Sequence, residues 1–167
     1  MHQNLGNATV FLSESEEEIV RKHGLFQGRT VHYMALREDF DELDSRQIID
    51  ITQSIPGVMS VPIMALMVAM YMGFKDIILI GVDHDELRSG QYKYAFEPKA
   101  MHAKDSSVDL NGNVLLRNYD MFQIYAMLWR QYRILSEVAA ANNIHIINAT
   151  PGGELDEFSR REFDTLF

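Results

Sequence analysis

Alternating apolar and polar stretches divide the first 44 residues into strand and helix candidates. An apolar, β-prone run at 8–12 is followed by Ser13, with Glu16 three residues later, which is the spacing of a capping box. A second strand candidate lies at 30–34, and the acidic stretch 38–44 after it is expected to be a solvated loop. The chain is therefore predicted to begin with a strand followed by a helix.

The best-defined unit of the sequence is a helix followed by a strand. The helix is predicted to begin at Ser60, a residue that can cap it, with Pro62 tolerated in its first turn, and to run to about Met72. Gly73 is placed to end this helix. The uninterrupted apolar run 77–80 is typical of a central parallel strand that is buried on both faces.

The second half of the chain contains one long polar loop, one long helix and one further strand. Residues 83–118 are polar and contain glycine, and a loop of this length is uncommon unless it is functional. Helical spacing of aromatic positions predicts a helix over 119–141, followed by a strand at 144–148. The tail 155–167 is predicted to be an amphipathic turn or helix.

This order of elements predicts an α/β protein: a Rossmann-like three-layer fold with a mainly parallel sheet and a long loop after the central strand. We expect a single domain over 1–167. Ligands of such sheets bind outside the carboxyl ends of the strands, so two loops are of interest, 81–84 and 148–153.

Composition excludes several classes of function. A formal net charge of -9 repels nucleic acid and anionic membrane surfaces, although a small phosphorylated ligand is still compatible with it. Cysteine is absent, which excludes disulfides and thiolate chemistry. No signal peptide pattern is visible, and the most apolar stretch, 58–72, is too short for a membrane span. We expect a cytoplasmic protein, and the ten methionines are expected to fill the core.

The loop after the predicted central strand carries the first candidate chemistry. Asp83 and His84 lie where a general acid or base could be held with a shifted pKa, although an aspartate there is often only a turn former. His84, Asp85, His102 and Asp109 have ligand types that suit several divalent ions. No established metal-binding spacing is present, so no metal site is predicted.

The long polar loop carries the second group of candidates. Tyr92, Tyr94 and Phe96 alternate, which fits either a strand with one aromatic face or a cover over a base, sugar or phosphate. His102 lies in the same loop without apolar periodicity around it and is a candidate general base. Lys104 could neutralise a phosphate, but a solvated lysine is the more common case.

Two turns could hold an anion through backbone amides. Ser60 precedes a helix, and its hydroxyl could bind an anion or form an ordinary N-cap. In the stretch 150–153, Thr150 and Gly152 could allow a ligand to approach the backbone closely, although any tight turn also uses glycine. Neither a Walker A motif nor a Gly-x-Gly-x-x-Gly fingerprint is present, which weakens ordinary ATPase and NAD-enzyme interpretations.

Several short motifs resemble two related Rossmann-like groups. The motifs are Ser60-Val61-Pro62-Ile63-Met64-Ala65, the stretch Met72-Gly73-Phe74-Lys75-Asp76 with its apolar strand and Gly81-Val82-Asp83, Tyr94-Ala95-Phe96-Glu97, and His102-Ala103-Lys104. They are similar to motifs of the bacterial lipooligosaccharide sialyltransferases and of the MptE-like group (DUF115), which includes hydroxymethylpterin diphosphokinases.

The resemblance to the sialyltransferases implies a metal-independent, inverting transfer from a CMP-sugar to a glycan acceptor in surface polysaccharide biosynthesis. It implies His102 as the general base and Tyr94 beside the donor phosphate. It further implies that Gly81, Val82 and Asp83 lie along the nucleotide, with Ser60 near it.

Departures from the pattern leave alternatives open. Asp85 stands where the sialyltransferases have a tyrosine, and the segment 105–118 is closer to the MptE-like pattern. An MptE-like enzyme would transfer diphosphate to a pterin-like alcohol and would need Mg²⁺, held by Asp83, Asp85 or Glu86. The Gly-x-Gly-Pro-Ser segment of both groups is missing, so we also expect that the chain is the carboxyl half of a longer protein. A third alternative is a non-catalytic fragment that assembles with a partner domain or with a second copy through the helix 119–141.

Overall fold

A computed structural model of the chain describes residues 7–40, 44, 46–85 and 117–166. Two residues predicted to take part in catalysis or donor binding, Tyr94 and His102, lie outside these residues, as do most of the long polar loop and Asp109. The described strands all pair in parallel, in two sheets of three strands each. The mixed α/β class predicted from the sequence is therefore confirmed.

The first sheet is formed by the N-terminal half of the chain. Its order is β1 (Val10–Ser13), β2 (Val31–Glu38) and β3 (Ser54–Pro56), and α1 (Glu17–His23) lies between the first two strands in sequence. β3 was not predicted, because three residues around a proline give almost no alternating pattern.

The helix after β1 begins differently from the predicted capping box. The Ser13 side chain accepts a hydrogen bond from the Ser15 amide at 3.3 Å and opens a short 3₁₀ helix, Glu14–Glu16. Glu16 is itself the N-cap residue of α1 and makes no side-chain cap hydrogen bond. Ser13 and Glu16 thus begin two different helices and do not form the paired side-chain bonds of a capping box.

The second sheet has the order β4 (Asp76–Leu79), β5 (His145–Asn148) and β6 (Ser159–Arg160). β4 and β5 pair from Asp76 opposite His145 to Leu79 opposite Asn148, so their carboxyl ends lie side by side. The tail forms β6 and a 3₁₀ turn, Phe163–Thr165. The helical alternative for the tail is therefore wrong, because its backbone pairs with β5 instead.

Two helices meet over a common core, and the second of them also contacts β5. They are α2 (Val61–Tyr71) and α3 (Asn118–Ala141), which contact each other. Both predicted helices are confirmed, and each predicted end differs from the observed end by no more than one residue. Their buried side chains join Met34 and Ile55 of the first sheet in one core cluster. Methionines of α2 fill part of that core, as the composition predicted.

β4 is less buried than its apolar sequence predicted. Leu79 is buried, but Ile78 is 36% exposed and Ile80, just beyond the strand, is 59% exposed. Alternate residues of a strand point to opposite faces, so one face of β4 is buried and the other is open. In the described part of the chain β4 is also the outer strand of its sheet. The expectation of a central strand buried on both faces is therefore corrected.

None of the helices in the described ranges is both long enough and apolar enough to cross a membrane.

Candidate functional site

Two loops that follow neighbouring strands are joined by hydrogen bonds. We call residues 81–85 the β4 loop and residues 149–154 the β5 loop. The Val82 amide donates to the Thr150 hydroxyl at 3.0 Å, and the Glu154 amide donates to the Asp83 carbonyl at 2.6 Å. Parallel pairing of β4 with β5 brings the starts of both loops to one edge of the sheet. The two loops that the sequence analysis named at the carboxyl ends of the strands, 81–84 and 148–153, are thus in direct contact.

Glycine is required at position 153 because the β4 loop crosses it closely. Gly153 has φ +78°, and a Cβ atom added there would lie 2.5 Å from the Asp83 carbonyl oxygen. No ordinary side chain fits against backbone at that distance. Gly153 therefore allows the two loops to pack closely, because only a residue without a side chain fits there. Gly152, with φ +72°, has open space around the position of an added Cβ.

Arg160 of β6 fixes the shape of the β5 loop from the other side. Its guanidinium donates to the Thr150 carbonyl at 2.8 Å, to the Leu155 carbonyl at 3.0 Å and to the Gly152 carbonyl. The buried Asn148 side chain adds two bonds, donating to the Leu155 carbonyl at 3.1 Å and accepting from the Thr150 amide at 3.0 Å. The backbone of the β5 loop is thus held in one conformation by side chains of its own sheet.

His84 occupies a constrained position in the β4 loop. Its φ of +49° lies in the left-handed region that residues other than glycine rarely adopt. Its amide donates to the Asp83 carboxylate at 2.9 Å, which stabilises this turn. The imidazole is half-buried, and burial lowers its pKa below 6.5, while the negative charge of Asp83 acts in the opposite direction.

Tyr132 of α3 connects His84 to the start of α2. The Tyr132 hydroxyl lies 2.8 Å from His84 Nε2 and 3.2 Å from Ser60 Oγ, and the tyrosine side chain is completely buried. The His84 ring also packs against Tyr132 and Trp129, with centroid distances of 5.4 and 5.8 Å. The Trp129 indole in turn donates to Asp156 at 2.8 Å.

The Ser60 hydroxyl does not act as a helix cap. Ser60 has the extended backbone of an N-cap residue, but its side chain makes no cap hydrogen bond and is turned toward Tyr132. The turn before α2 is held instead by Gln131 of α3. The Gln131 side chain accepts from the Met59 amide at 2.8 Å and donates to the Gly57 carbonyl at 2.9 Å. The predicted N-cap bond of Ser60 is therefore replaced by a contact with α3.

An open cleft of about 800 Å³ adjoins the β5 loop. It is lined by Ile80 after β4, by residues 149–152 of the β5 loop, by Arg160 at the end of β6 and by residues 161–164 after it. Its charged lining residues are Arg160, Arg161, Glu162 and Asp164, and Phe163 adds an aromatic residue. The cleft thus lies beyond the carboxyl ends of all three strands of the second sheet, where ligands of parallel sheets bind.

The structure brings together most of the predicted site residues that it describes. Contacts link Ser60 to His84 through Tyr132, and Val82 to Thr150, while Thr150 and Gly152 line the cleft. Gly81, with φ +73°, provides the left-handed turn at the start of the β4 loop. Tyr94 and His102 lie outside the described residues, so their predicted roles stay predictions.

Three residues of the site were missed from the sequence: Gln131, Tyr132 and Arg160. Gln131 and Tyr132 lie on a helix whose aromatic spacing is also what a packing face produces. Arg160 lies in the tail that was predicted to be an amphipathic turn or helix, and that pattern gives no role to an individual arginine. Gly153 lies in the stretch 150–153 that was predicted to let a ligand approach the backbone, but the group that approaches it in the structure is the backbone of Asp83.

Among the described residues, no group of three or more histidine and carboxylate side chains is arranged to hold a metal ion. Asp83, His84 and Asp85 are described, whereas Glu86, His102 and Asp109 are not. The predicted metal alternatives that need the latter residues therefore stay untested.

Comparison of the chain with protein-family models, with curated proteins and with solved structures finds no match.

Proposed function

We propose that the chain is a nucleotide-sugar-dependent glycosyltransferase-like domain of the sialyltransferase-like type, with a CMP-sugar as donor and a glycan as acceptor. The proposal includes a cytoplasmic location, a role in surface polysaccharide biosynthesis and a complete three-layer Rossmann-like fold. The observation that carries it is the junction of the β4 and β5 loops beside the 800 Å³ cleft. That junction has the position and the rigidity that nucleotide sites of parallel sheets need.

The size and charge of the cleft support a small phosphorylated donor. Its volume falls within the range of about 300–1,000 Å³ that is common for small-molecule sites. Two arginine residues, Arg160 and Arg161, line the cleft, and Arg160 is already bonded to carbonyl oxygens. Glu162 and Asp164 line it as well, so the formal charges of its lining balance, in contrast to the net charge of -9 of the whole chain, and the arginines are the groups that could bind a phosphate.

The proposed reaction follows the resemblance in the sequence. The acceptor hydroxyl oxygen attacks the anomeric carbon of the donor sugar, and its proton passes to His102. The bond between that carbon and the phosphate oxygen breaks, and CMP leaves with the bonding electrons and the negative charge. In this proposal Tyr94 lies beside the donor phosphate, and Gly81, Val82 and Asp83 lie along the nucleotide with Ser60 near it. His84 is a further candidate acid or base on the same loop. This mechanism needs no metal ion.

Calorimetry with CMP, UMP, GDP and ATP, each with and without Mg²⁺, tests the proposal. CMP is expected to bind without metal, and Arg161→Met is expected to weaken that binding at least fivefold. Arg37→Met, which removes an exposed guanidinium from the first sheet, is the matched control and is expected to leave CMP binding unchanged. His102→Ala is expected to retain CMP binding and to lose transfer from a CMP-sugar.

Two results would contradict the proposal. Binding of ATP that requires Mg²⁺, without binding of CMP, would favour the diphosphokinase alternative. Absence of binding for all four nucleotides, in a chain that is shown to be folded, would favour a non-catalytic domain that acts through assembly.

A further inference from the structure

The cleft beside the β5 loop is lined by charges of both signs that do not neutralise one another by contact. Arg160 is used by carbonyl groups of the β5 loop. Within the described part of the chain, the side chains of Arg161, Glu162 and Asp164 form no hydrogen bond or ion pair with each other or with another residue. One guanidinium and two carboxylates can therefore bind a ligand in the cleft without first giving up a protein partner.

The backbone that carries these three side chains is held in place. The Arg161 amide donates to the Asn148 carbonyl at 3.2 Å, which ties Arg161 to the end of β5. The Glu162 carbonyl accepts from the Thr165 amide at 3.0 Å and from the Thr165 hydroxyl at 2.7 Å, which closes the 3₁₀ turn after β6. The guanidinium is thus attached at the edge of the sheet, and the two carboxylates are attached on the turn that follows it.

The opposite wall of the cleft leaves room for a phosphate. Gly152 lines the cleft, and nothing lies within 4 Å of the position that a Cβ atom would take there. A ligand can therefore approach the backbone of the β5 loop, which Arg160 holds in one conformation. Arg161 is the charged group that could bind a phosphate beside this loop.

The carboxylates require a different part of the ligand. An ionised carboxylate repels a phosphate but accepts strong hydrogen bonds from hydroxyl groups. The 2′- and 3′-hydroxyls of a ribose offer two adjacent donors, and nucleotide sites of parallel sheets use an acidic side chain to bind them. A ribonucleotide carries both an anionic end and a pair of hydroxyls, so it matches the two kinds of group that line the cleft.

We propose that Glu162 and Asp164 are specificity-determining residues that accept hydrogen bonds from the ribose hydroxyls of the bound nucleotide, whose phosphate lies toward Arg161 and the β5 loop. This inference rests on the proposed function, because it concerns the nucleotide part of the same donor. It adds an orientation for that nucleotide and a preference for ribose over 2′-deoxyribose.

Calorimetry with CMP and its 2′-deoxy analogue dCMP, without metal ions, tests the ribose preference. The unaltered chain is expected to bind CMP roughly tenfold more tightly than dCMP, because dCMP leaves a carboxylate without a hydroxyl donor. In a double variant, Glu162→Met with Asp164→Ala, this ratio is expected to fall below about threefold. The ratio is the informative quantity, since removal of negative charge near the phosphate changes both affinities alike. Glu18→Met, which removes an exposed carboxylate from α1, is the control and is expected to leave the ratio unchanged.

The orientation is tested with cytidine, which keeps the ribose and lacks the phosphate. Arg161→Met is expected to weaken the binding of CMP by about fivefold and to leave the binding of cytidine unchanged. Equal losses for cytidine and CMP would overturn the proposed orientation.

Equal affinities of the unaltered chain for CMP and dCMP would overturn the ribose preference and leave the proposed function intact, and this comparison needs no variant to fold. A tenfold ratio that persists in a double variant with an unchanged circular dichroism spectrum would show that another group binds the ribose, and would also overturn the inference. If the folded chain binds neither CMP, dCMP nor cytidine, both the inference and the proposed function are wrong.

Discussion

The segments that follow the carboxyl ends of the strands are stabilised by different kinds of contact in the two parallel sheets. After β1, the side chains make exposed contacts: Ser13 caps a short 3₁₀ helix, and Glu14 pairs with Arg37 at 2.6 Å with both side chains in solvent. After β4 and β5, the loops are joined by buried or part-buried bonds between residues about 70 positions apart, such as Val82 and Thr150. Exposed ion pairs contribute little stability, whereas an unmade bond to a buried group is costly. The second sheet therefore has the rigid edge on which a site can be built.

The largest expected effect is that of adding a methyl group where the two loops cross. Gly153→Ala places a Cβ against the Asp83 carbonyl and is expected to lower the free energy of unfolding by roughly 2–4 kcal/mol. Gly28→Ala is the matched control, because Gly28 has nearly the same φ, +77°, with nothing within 4 Å of an added Cβ. Its expected cost is about 1–2 kcal/mol. Equal costs in urea denaturation would show that the crossing does not constrain the loop.

Removal of the guanidinium that holds the β5 loop should have the next largest effect. Arg160→Met loses the bonds to four carbonyl groups, the longest of them to Gly153 at 3.5 Å, and is expected to cost roughly 1–3 kcal/mol. Arg37→Met loses an exposed ion pair of the first sheet and is expected to cost about 0–1 kcal/mol. Thermal unfolding of both variants measures the difference. A cost for Arg37→Met as large as that for Arg160→Met would remove the contrast between the sheets.

A smaller effect is expected from the single bond between Val82 and Thr150. Thr150→Val keeps the shape of the side chain but leaves the buried Val82 amide without this acceptor, at a cost of about 1–2 kcal/mol. Ser13→Ala removes the exposed cap after β1 and is expected to cost about 0.5–1 kcal/mol. Hydrogen exchange of the Val82 amide adds a local readout, which is expected to become faster only in Thr150→Val.

The smallest effect is a dependence of stability on pH that comes from His84. Its folded-state pKa is lowered, so the unfolded chain binds a proton more readily, and stability falls as the pH drops below 6.5 toward the folded-state pKa. His84→Gln is expected to lose stability less steeply over this window. His145→Gln is the matched control, since His145 lies exposed opposite Asp76 at the start of β5. Identical pH profiles of His84→Gln and the unaltered chain, measured by urea denaturation, would contradict the burial of a neutral imidazole.

Much of the fold could be predicted because its longer elements carry regular patterns. The apolar run before Gly81 gave β4, and aromatic spacing gave α3. β3 and β6 were missed because strands of three and two residues have no readable period, and only pairing with a neighbour defines them. The open face of β4 was missed for a related reason, since an apolar run does not reveal how many neighbours cover it.

The sequence predicted where the site lies, at the carboxyl ends of the strands, but it predicted few of the contacts between residues of the site. Parallel strands imply that loops 81–85 and 149–154 meet, but only the three-dimensional register shows that Gly153 faces the backbone of Asp83. Tyr132 was missed because a buried tyrosine on a helix usually only packs, and its hydroxyl partners come from two distant segments. Such long-range polar contacts leave no periodic trace in a sequence.

The contact between Asp83 and Gly153 is made by main-chain atoms. The conformation of the two loops at this point therefore does not depend on which side chain position 83 carries. Whatever side chain position 83 carries, its carbonyl can still receive the Glu154 amide. Asparagine there would also preserve the oxygen that meets the His84 amide. The reactive group at position 83 can thus be exchanged for asparagine with little disturbance of this crossing, which makes position 83 a tolerant place to alter reactivity or substrate preference.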